Sequence, residues 1–267
     1  MTQRLVEAVD ETVAAFWAIG GEERTVNGAH WTRNLKAPAV EYCNTVGGLV
    51  GDDPHRLRDL LGQARAWTAS PAMRVHVGAT TPTATEAALL LAGCELVETL
   101  LELVVTGPLV GPTPAGAGVD ILPVEDDAGW ERLAELFRLD HEEEDAGEGR
   151  PPRPAEETAQ AVLARRAKTP AVRYWLAVEE GRPCGFFSSW PRRGEMAKVE
   201  DLFVRPEHRG RGVATRLLHH AVADARSQGA GPVLIRAAHD DRPKHLYARM
   251  GFRPVAVTRY YAFDGGD

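Results

Sequence analysis

No stretch of this 267-residue chain is apolar for long enough to cross a bilayer, which takes about 20 consecutive apolar residues, so no membrane partner is expected. Cysteine is scarce. Cys43, Cys94 and Cys184 are odd in number and widely spaced, which argues against a disulfide framework or a zinc site and for thiols in a reducing compartment. Basic charge is outweighed, with 31 Lys and Arg against 38 Asp and Glu and a net charge of −7. A nucleic-acid footprint is therefore missing, and Trp17, Trp31, Trp67, Trp130, Trp175 and Trp190 read as core or pocket wall. The N-terminus is acidic and lacks the basic segment of a secretory leader, so a cytoplasmic location is expected. What remains is an ordinary globular composition, 44% hydrophobic and 26% charged, long enough for one large domain or two small ones.

Seven glycines and prolines crowd the stretch from Gly107 to Gly118 and mark a linker at 107–118. Residues 1–106 precede it and residues 119–267 follow. The second part alternates strand and helix. Val119–Val124 begins a strand, and Asp127 is placed to cap a helix through Trp130, Leu133, Leu136 and Phe137. A second helix covers about 156–168. Two strands, 172–178 and 184–190, meet at Glu180-Gly181-Arg182 as a hairpin. A buried strand ends at Val204, and Val213, Leu217, Leu218, Ala221, Val222 and Ala225 give the next helix one apolar face. A strand at 233–235, a helix around Tyr247 and a closing strand pair over 254–263 complete the order β-α-α-β-β-β-α-β-α-β-β. In the first part the pattern predicts strands at 39–45, 73–77 and 95–105 and helices at 54–68 and 83–92, with Asp53 ahead of Pro54 at the first helical position.

Arg209-Gly210-Arg211-Gly212-Val213-Ala214 joins the strand ending at Val204 to a helix. The first turn of a helix carries unpaired N–H groups and the positive end of the macrodipole, and glycine lets a ligand approach the backbone closely. Such a turn suits a diphosphate. It is not a dinucleotide turn, because Thr215 stands where the last glycine or alanine belongs, and it lacks the G-x-x-x-x-G-K-[ST] of a triphosphate loop.

The run E-D-L-F-V-R-P-E-H-R-G-R-G-V-A-T-R-L-L resembles the coenzyme A motif of the GNAT superfamily of N-acetyltransferases, and Leu246-Tyr247-Ala248-Arg249-Met250-Gly251-Phe252 resembles its L-Y-x-x-x-G-F signature. The resemblance implies an α/β (α+β) GNAT fold over about 119–263, a mixed twisted sheet flanked by helices. Leu91–Glu98 faintly resembles the end of a second such domain, so the first part is read as a degenerate GNAT-like domain or an unrelated cap. The implied activity is transfer of an acetyl group from acetyl-CoA to an amine by direct attack, without a metal. The implied cofactor contacts are Leu202, Phe203 and Val204 on the strand, Arg209, Gly210, Arg211, Gly212, Val213, Ala214 and Thr215 in the turn, and Asp240, which replaces a common asparagine. Tyr247 is the implied acid for the leaving thiolate, and Glu200 a candidate base.

Asp140-His141-Glu142-Glu143-Glu144-Asp145 reads either as solvated surface or as carboxylates that attract a cationic acceptor. The expected acceptor is a small, cationic primary amine. A protein or peptide acceptor, or a non-catalytic acyl-CoA sensor, are the alternatives, and the chain is expected as a monomer or homodimer.

Overall fold

The computed structural model describes residues 3–111 and 118–265, so half of the expected linker, 112–117, lies outside the described residues. The chain forms two compact units. The first comprises Met1–Leu103, Ala237–Lys244 and Pro254–Asp267, and the second Val104–Arg236 and His245–Arg253. The division seen in the sequence runs at 106–118, whereas in the structure the chain returns to the first unit for its final strand. Among the described residues no helix is long and apolar enough to cross a membrane.

The first unit opens with helix α1 (Gln3–Ala18), which buries Val9, Val13, Phe16 and Trp17. Strands β1 (Glu22–Val26) and β2 (Ala29–Arg33) form a hairpin around Asn27 and Gly28, both at positive φ. That is the turn whose twist matches paired strands. Then come β3 (Thr45–Gly47), α2 (Pro54–Thr68), β4 (Arg74–Val77), α3 (Thr83–Leu91) and β5 (Cys94–Val105). The last strand of the chain, β11 (Arg253–Phe263), runs antiparallel to β4 with Tyr260 opposite His76, and the strand order is β1-β2-β3-β4-β11-β5. Trp31, Leu57, Leu61, Val75, Leu89 and Phe263 share its core.

The second unit contains β6 (Val119–Pro123), α4 (Asp127–Gly147), α5 (Ala155–Arg166), β7 (Arg173–Glu179), β8 (Arg182–Trp190), β9 (Ala197–Val204), α6 (Val213–Ser227), β10 (Val233–Ala238) and α7 (Pro243–Arg249). Strands β6 to β9 form an antiparallel meander, and β10 lies parallel to β9 after the α6 crossover. Asp126, one residue before the expected cap, accepts the Gly129 N–H at 2.8 Å and starts α4. The β7–β8 turn holds Glu180 and Gly181 at positive φ. Helix α6 buries Val213, Leu217, Leu218, Ala221, Val222 and Ala225, the face its spacing marks out. Val110 donates its N–H to the Met250 carbonyl at 2.8 Å, so the start of the expected linker is tied down.

Two expectations change. The closing strand pair is one strand, because 254–263 contains no glycine, asparagine or aspartate at which a hairpin would turn. The strand expected at 39–45 is a single 3₁₀ turn over Glu41–Cys43. Buried Asn44 holds it there, donating to the Ala37 and Val40 carbonyls at 3.0 and 2.8 Å. Pairing resumes only at Thr45.

Asp53 caps α2 through the His55 and Arg56 N–H groups, at 3.0 and 3.3 Å. Its replacement by alanine is expected to lower stability by about 1 kcal/mol, read as a shift in the urea midpoint with an unchanged slope.

Candidate functional site

The site in the second unit begins where two parallel strands part. Strands β9 and β10 are in register at Ala197 opposite Val233 and Lys198 opposite Leu234, while β9 continues to Val204. The register of β9 against β8 shifts between Phe186 and Ser188, and Asp201 sits at φ 61°. A non-glycine residue in that region needs support from its surroundings. Arg165 of α5 supplies it, with Nη2 at 2.6 Å from Asp201 Oδ1. Glu200 turns instead to buried Lys198 on its own strand, with which it forms an ion pair. The two neighbouring acids therefore serve different partners.

Beyond Val204 the chain passes a short turn, Pro206–His208, and reaches Gly210 and Gly212 at φ 72° and 82°. Gly212 is the N-cap of α6, and no side chain caps the helix. The first N–H groups of α6 are thus presented as an anion site. A Cβ built on Gly210 would meet nothing within 4 Å, so the loop faces open space. Arg209 and Arg211 flank it, but both are tied. Arg209 grips Glu143 at 2.5 and 2.7 Å and donates Nε to the Val204 carbonyl at 2.8 Å. Arg211 grips Glu179 at 2.5 and 3.0 Å, and His208 Nδ1 lies 2.8 Å from the same carboxylate. With both guanidinium groups engaged, the backbone N–H groups are the donors left to meet an anion there. Leu202, Phe203 and Val204 line up on β9 ahead of it, and Val213, Ala214 and Thr215 form the first turn of α6.

Tyr247 is buried in α7, which begins at Pro243, and its carbonyl accepts the N–H groups of Met250 and Phe252. Asp240 occupies the exposed turn before α7, with His239 at 3.8 Å and among residues that pack with the first unit.

The acidic run lies on the last turns of α4, where Glu142, Glu143 and Glu144 are solvent-exposed. Helical spacing sorts its members. Asp145 is buried and accepts from Arg153 Nη2 at 2.7 Å and from Arg150 at 3.3 Å. The Arg153 hydrogen bonds hold its carboxyl down at about 2 against the opposing effect of burial. His141 Nδ1 meets the Thr158 hydroxyl at 2.9 Å, and burial, aided by Arg153 and Arg165, pushes its pKa down to about 4. Glu142, Glu143 and Glu144 pair with Arg138, Arg209 and Arg153. Asp140 differs. Burial pushes its carboxyl up to about 7, with Glu144, Asp201 and Glu143 adding to the rise and Arg165 opposing it. A carboxyl that titrates near neutrality beside the β9 bulge is suited to proton transfer. Reading the run by helical spacing, with 140, 143 and 144 on one face and 141 and 145 on another, is the signal that separates Asp140 from its neighbours.

Asp145→Ala is expected to cost roughly 3 kcal/mol at neutral pH, as removal of one partner from a buried pair does. The folded carboxyl titrates at about 2, below an unfolded value of about 4. The contribution is therefore complete above the unfolded value and is lost as pH falls toward the folded one. Wild-type and variant denaturation midpoints should converge over that interval.

Residues 130–252 match the family described as Acetyltransferase (GNAT) family. A streptothricin acetyltransferase of Streptomyces lavendulae is 39% identical over 67 residues, 25% of this chain and 34% of that protein. The matches to curated relatives span 30–41% of those proteins' own lengths. Among solved structures, a GCN5-related N-acetyltransferase from Kribbella flavida superposes with a TM-score of 0.69 at 19% identity, covering 98% of this chain and 95% of that one. A tandem GNAT protein from the clavulanic acid biosynthesis pathway superposes with a TM-score of 0.60 at 18% identity, covering 97% and 96%. These likenesses show the GNAT fold.

Proposed function

We propose that the chain transfers an acetyl group from acetyl-CoA to a small, cationic primary amine, a reading supported by the match of residues 130–252 to the GNAT acetyltransferase family. The observation that carries this reading is the combination in the second unit of an uncapped, glycine-flanked α6 N-terminus and a strand β9 that leaves its parallel neighbour after two registered pairs. The residues fit the donor. The N–H groups from about Arg209 to Ala214 would hold the diphosphate, and the backbone of Leu202 and Val204 would hold the pantetheine arm. The Val204 carbonyl already accepts from Arg209, and its second lone pair stays open to a ligand. Bound acetyl-CoA supplies the activated thioester.

The chain's own part is proton handling and placement. An ammonium ion has no lone pair with which to attack, so the acceptor must lose a proton first. We assign that proton to Asp140. The cation acting on Asp140, Arg165, is already bonded to Asp201, and Asp140 itself makes no ion pair among the described residues. An acceptor ammonium in front of it would neutralise it, which supports a cationic acceptor. Glu200, the base suggested by sequence, is engaged by Lys198 and is the second candidate. Tyr247 remains the proposed donor to the departing thiolate.

Full-length protein incubated with acetyl-CoA and an amine panel is expected to release free thiol. With a responsive amine, kcat/KM should rise with pH through an apparent pKa near the Asp140 value of about 7. Asp140→Asn should remove that limb and slow turnover by about 10²–10⁴-fold, whereas Glu200→Gln should keep the limb. Persistence of the limb in Asp140→Asn would return the role to Glu200. Gly212→Asp places a carboxylate at the helix N-terminus and is expected to abolish acetyl-CoA binding by calorimetry. Tyr247→Phe should leave binding intact and lower kcat. Tight acetyl-CoA binding with no thiol release for any amine would instead favour an acyl-CoA sensor.

A further inference from the structure

The crossover that builds the cradle occurs a second time, in the first unit, and there it encloses a cavity. Strands β3 and β4 lie parallel with Thr45 opposite Arg74 and Val46 opposite Val75. Past those pairs, Gly47 and Gly48 on one side and His76 and Gly78 on the other line a space of ≈ 220 Å³. One water needs about 10–15 Å³ on that scale, and small-ligand sites begin near about 300 Å³. The space holds far more than one water and falls short of a drug-sized site, so it suits only a compact ligand.

Its chemistry is the reverse of an anion site. Helix α2, which follows β3, has its N-terminus filled by Asp53, which accepts the N–H groups that a phosphate would use. No lysine or arginine lines the cavity, whereas Asp10 and Glu11 do. Asp10 is held in place by the Ala79 and Thr80 N–H groups and the Thr80 hydroxyl, at 2.9, 2.8 and 2.6 Å. Gly78 permits this, since a Cβ there would stand 2.7 Å from the Asp10 carboxylate. Glu11 is exposed at the rim.

The remaining wall is aromatic. Trp17 and Tyr42 stack at 4.9 Å, and Tyr260 meets Tyr42 edge-on at 5.1 Å. The Tyr42 hydroxyl donates to the Glu98 carboxylate, 2.7 and 2.8 Å from its two oxygens. A phenol bonded to a carboxylate has a more electron-rich ring, which strengthens its attraction for a cation. The two histidines of the wall are engaged, His30 with Glu23 at 2.9 Å and His76 with the Tyr260 ring at 4.9 Å.

We propose that this cavity is a second ligand site that takes a small organic ammonium ion, held by the Trp17, Tyr42 and Tyr260 rings and by the carboxylates of Asp10 and Glu11. Calorimetry reads such binding without turnover, so its outcome does not depend on acetyl transfer. The full chain is titrated at low salt with phenethylammonium and with its neutral counterpart 2-phenylethanol. The ammonium is expected to bind about tenfold more tightly or better. Glu11→Gln, a rim substitution that leaves the core untouched, should cut that preference several-fold, and Trp17→Leu should abolish binding in a variant whose melting shows it folded. Asp140→Asn, which alters the proposed acceptor position of the second unit, should leave ammonium binding unchanged. Equal binding of the two probes, no binding of either, ammonium binding that survives Glu11→Gln at full strength, or its loss in Asp140→Asn would overturn the assignment.

Discussion

The chemistry of the second unit depends on β9 and β10 starting as paired parallel strands and then parting. A strand that leaves its neighbour exposes backbone N–H and C=O groups that must find other partners. The bulge at Asp201 and the register shift against β8 turn β9 away, while α6 returns the chain to β10. The same departure aims the backbone at the N-terminus of α6, where Gly210 and Gly212 adopt left-handed conformations and Gly210 faces open space. Backbone donors at the start of α6 and backbone acceptors on β9 are thereby set in line before any side chain contributes.

One residue at each helix start decides what the repeated crossover becomes. Before α6 the position belongs to Gly212, in a left-handed conformation that offers no side-chain acceptor. Before α2 it belongs to Asp53, whose carboxylate is itself the anion the helix attracts. The first unit therefore keeps the geometry of the crossover and none of its capacity for phosphate. What it holds instead is an acidic, aromatic-walled space.

Much of this was legible in the sequence where local signals are strong. The α6 face, the β7–β8 hairpin and α2 with its Asp53-Pro54 start all follow from spacing and turn residues, and each is present. Other elements were missed although their signals stood in plain view. Asn27-Gly28 is a strong hairpin dipeptide, and α1 carries Val9, Val13, Phe16 and Trp17 at helical spacing. The 3₁₀ turn at 41–43 could not be read locally, because it is held by buried Asn44 reaching the carbonyls of Ala37 and Val40. The return of β11 to the first unit is likewise long-range, set by pairing with β4. At the candidate site, glycine spacing located the turn before α6, but the ion pairs that tie Arg209 and Arg211 join residues remote in sequence.

Arg165 links the shape of the bulge to the acidity of Asp140. Its guanidinium is confined, with Nη1 on the Ala161 carbonyl at 3.2 Å, Nη2 on Asp201 at 2.6 Å and the group 4.5 Å from the centre of the Phe137 ring. Held there, it stabilises the left-handed Asp201 and answers that residue's charge. Asp140 is left among Glu143, Glu144 and Asp201 with a weaker share of the same cation, and burial then raises its carboxyl to about 7. A lysine or arginine fixed beside Asp140 would hold that value down before any ligand arrived. Loss of Arg165 would release the bulge and leave the acids to repel one another. A single buried arginine, engaged on Asp201, thus ties the shape of the bulge to the raised pKa of the neighbouring carboxyl.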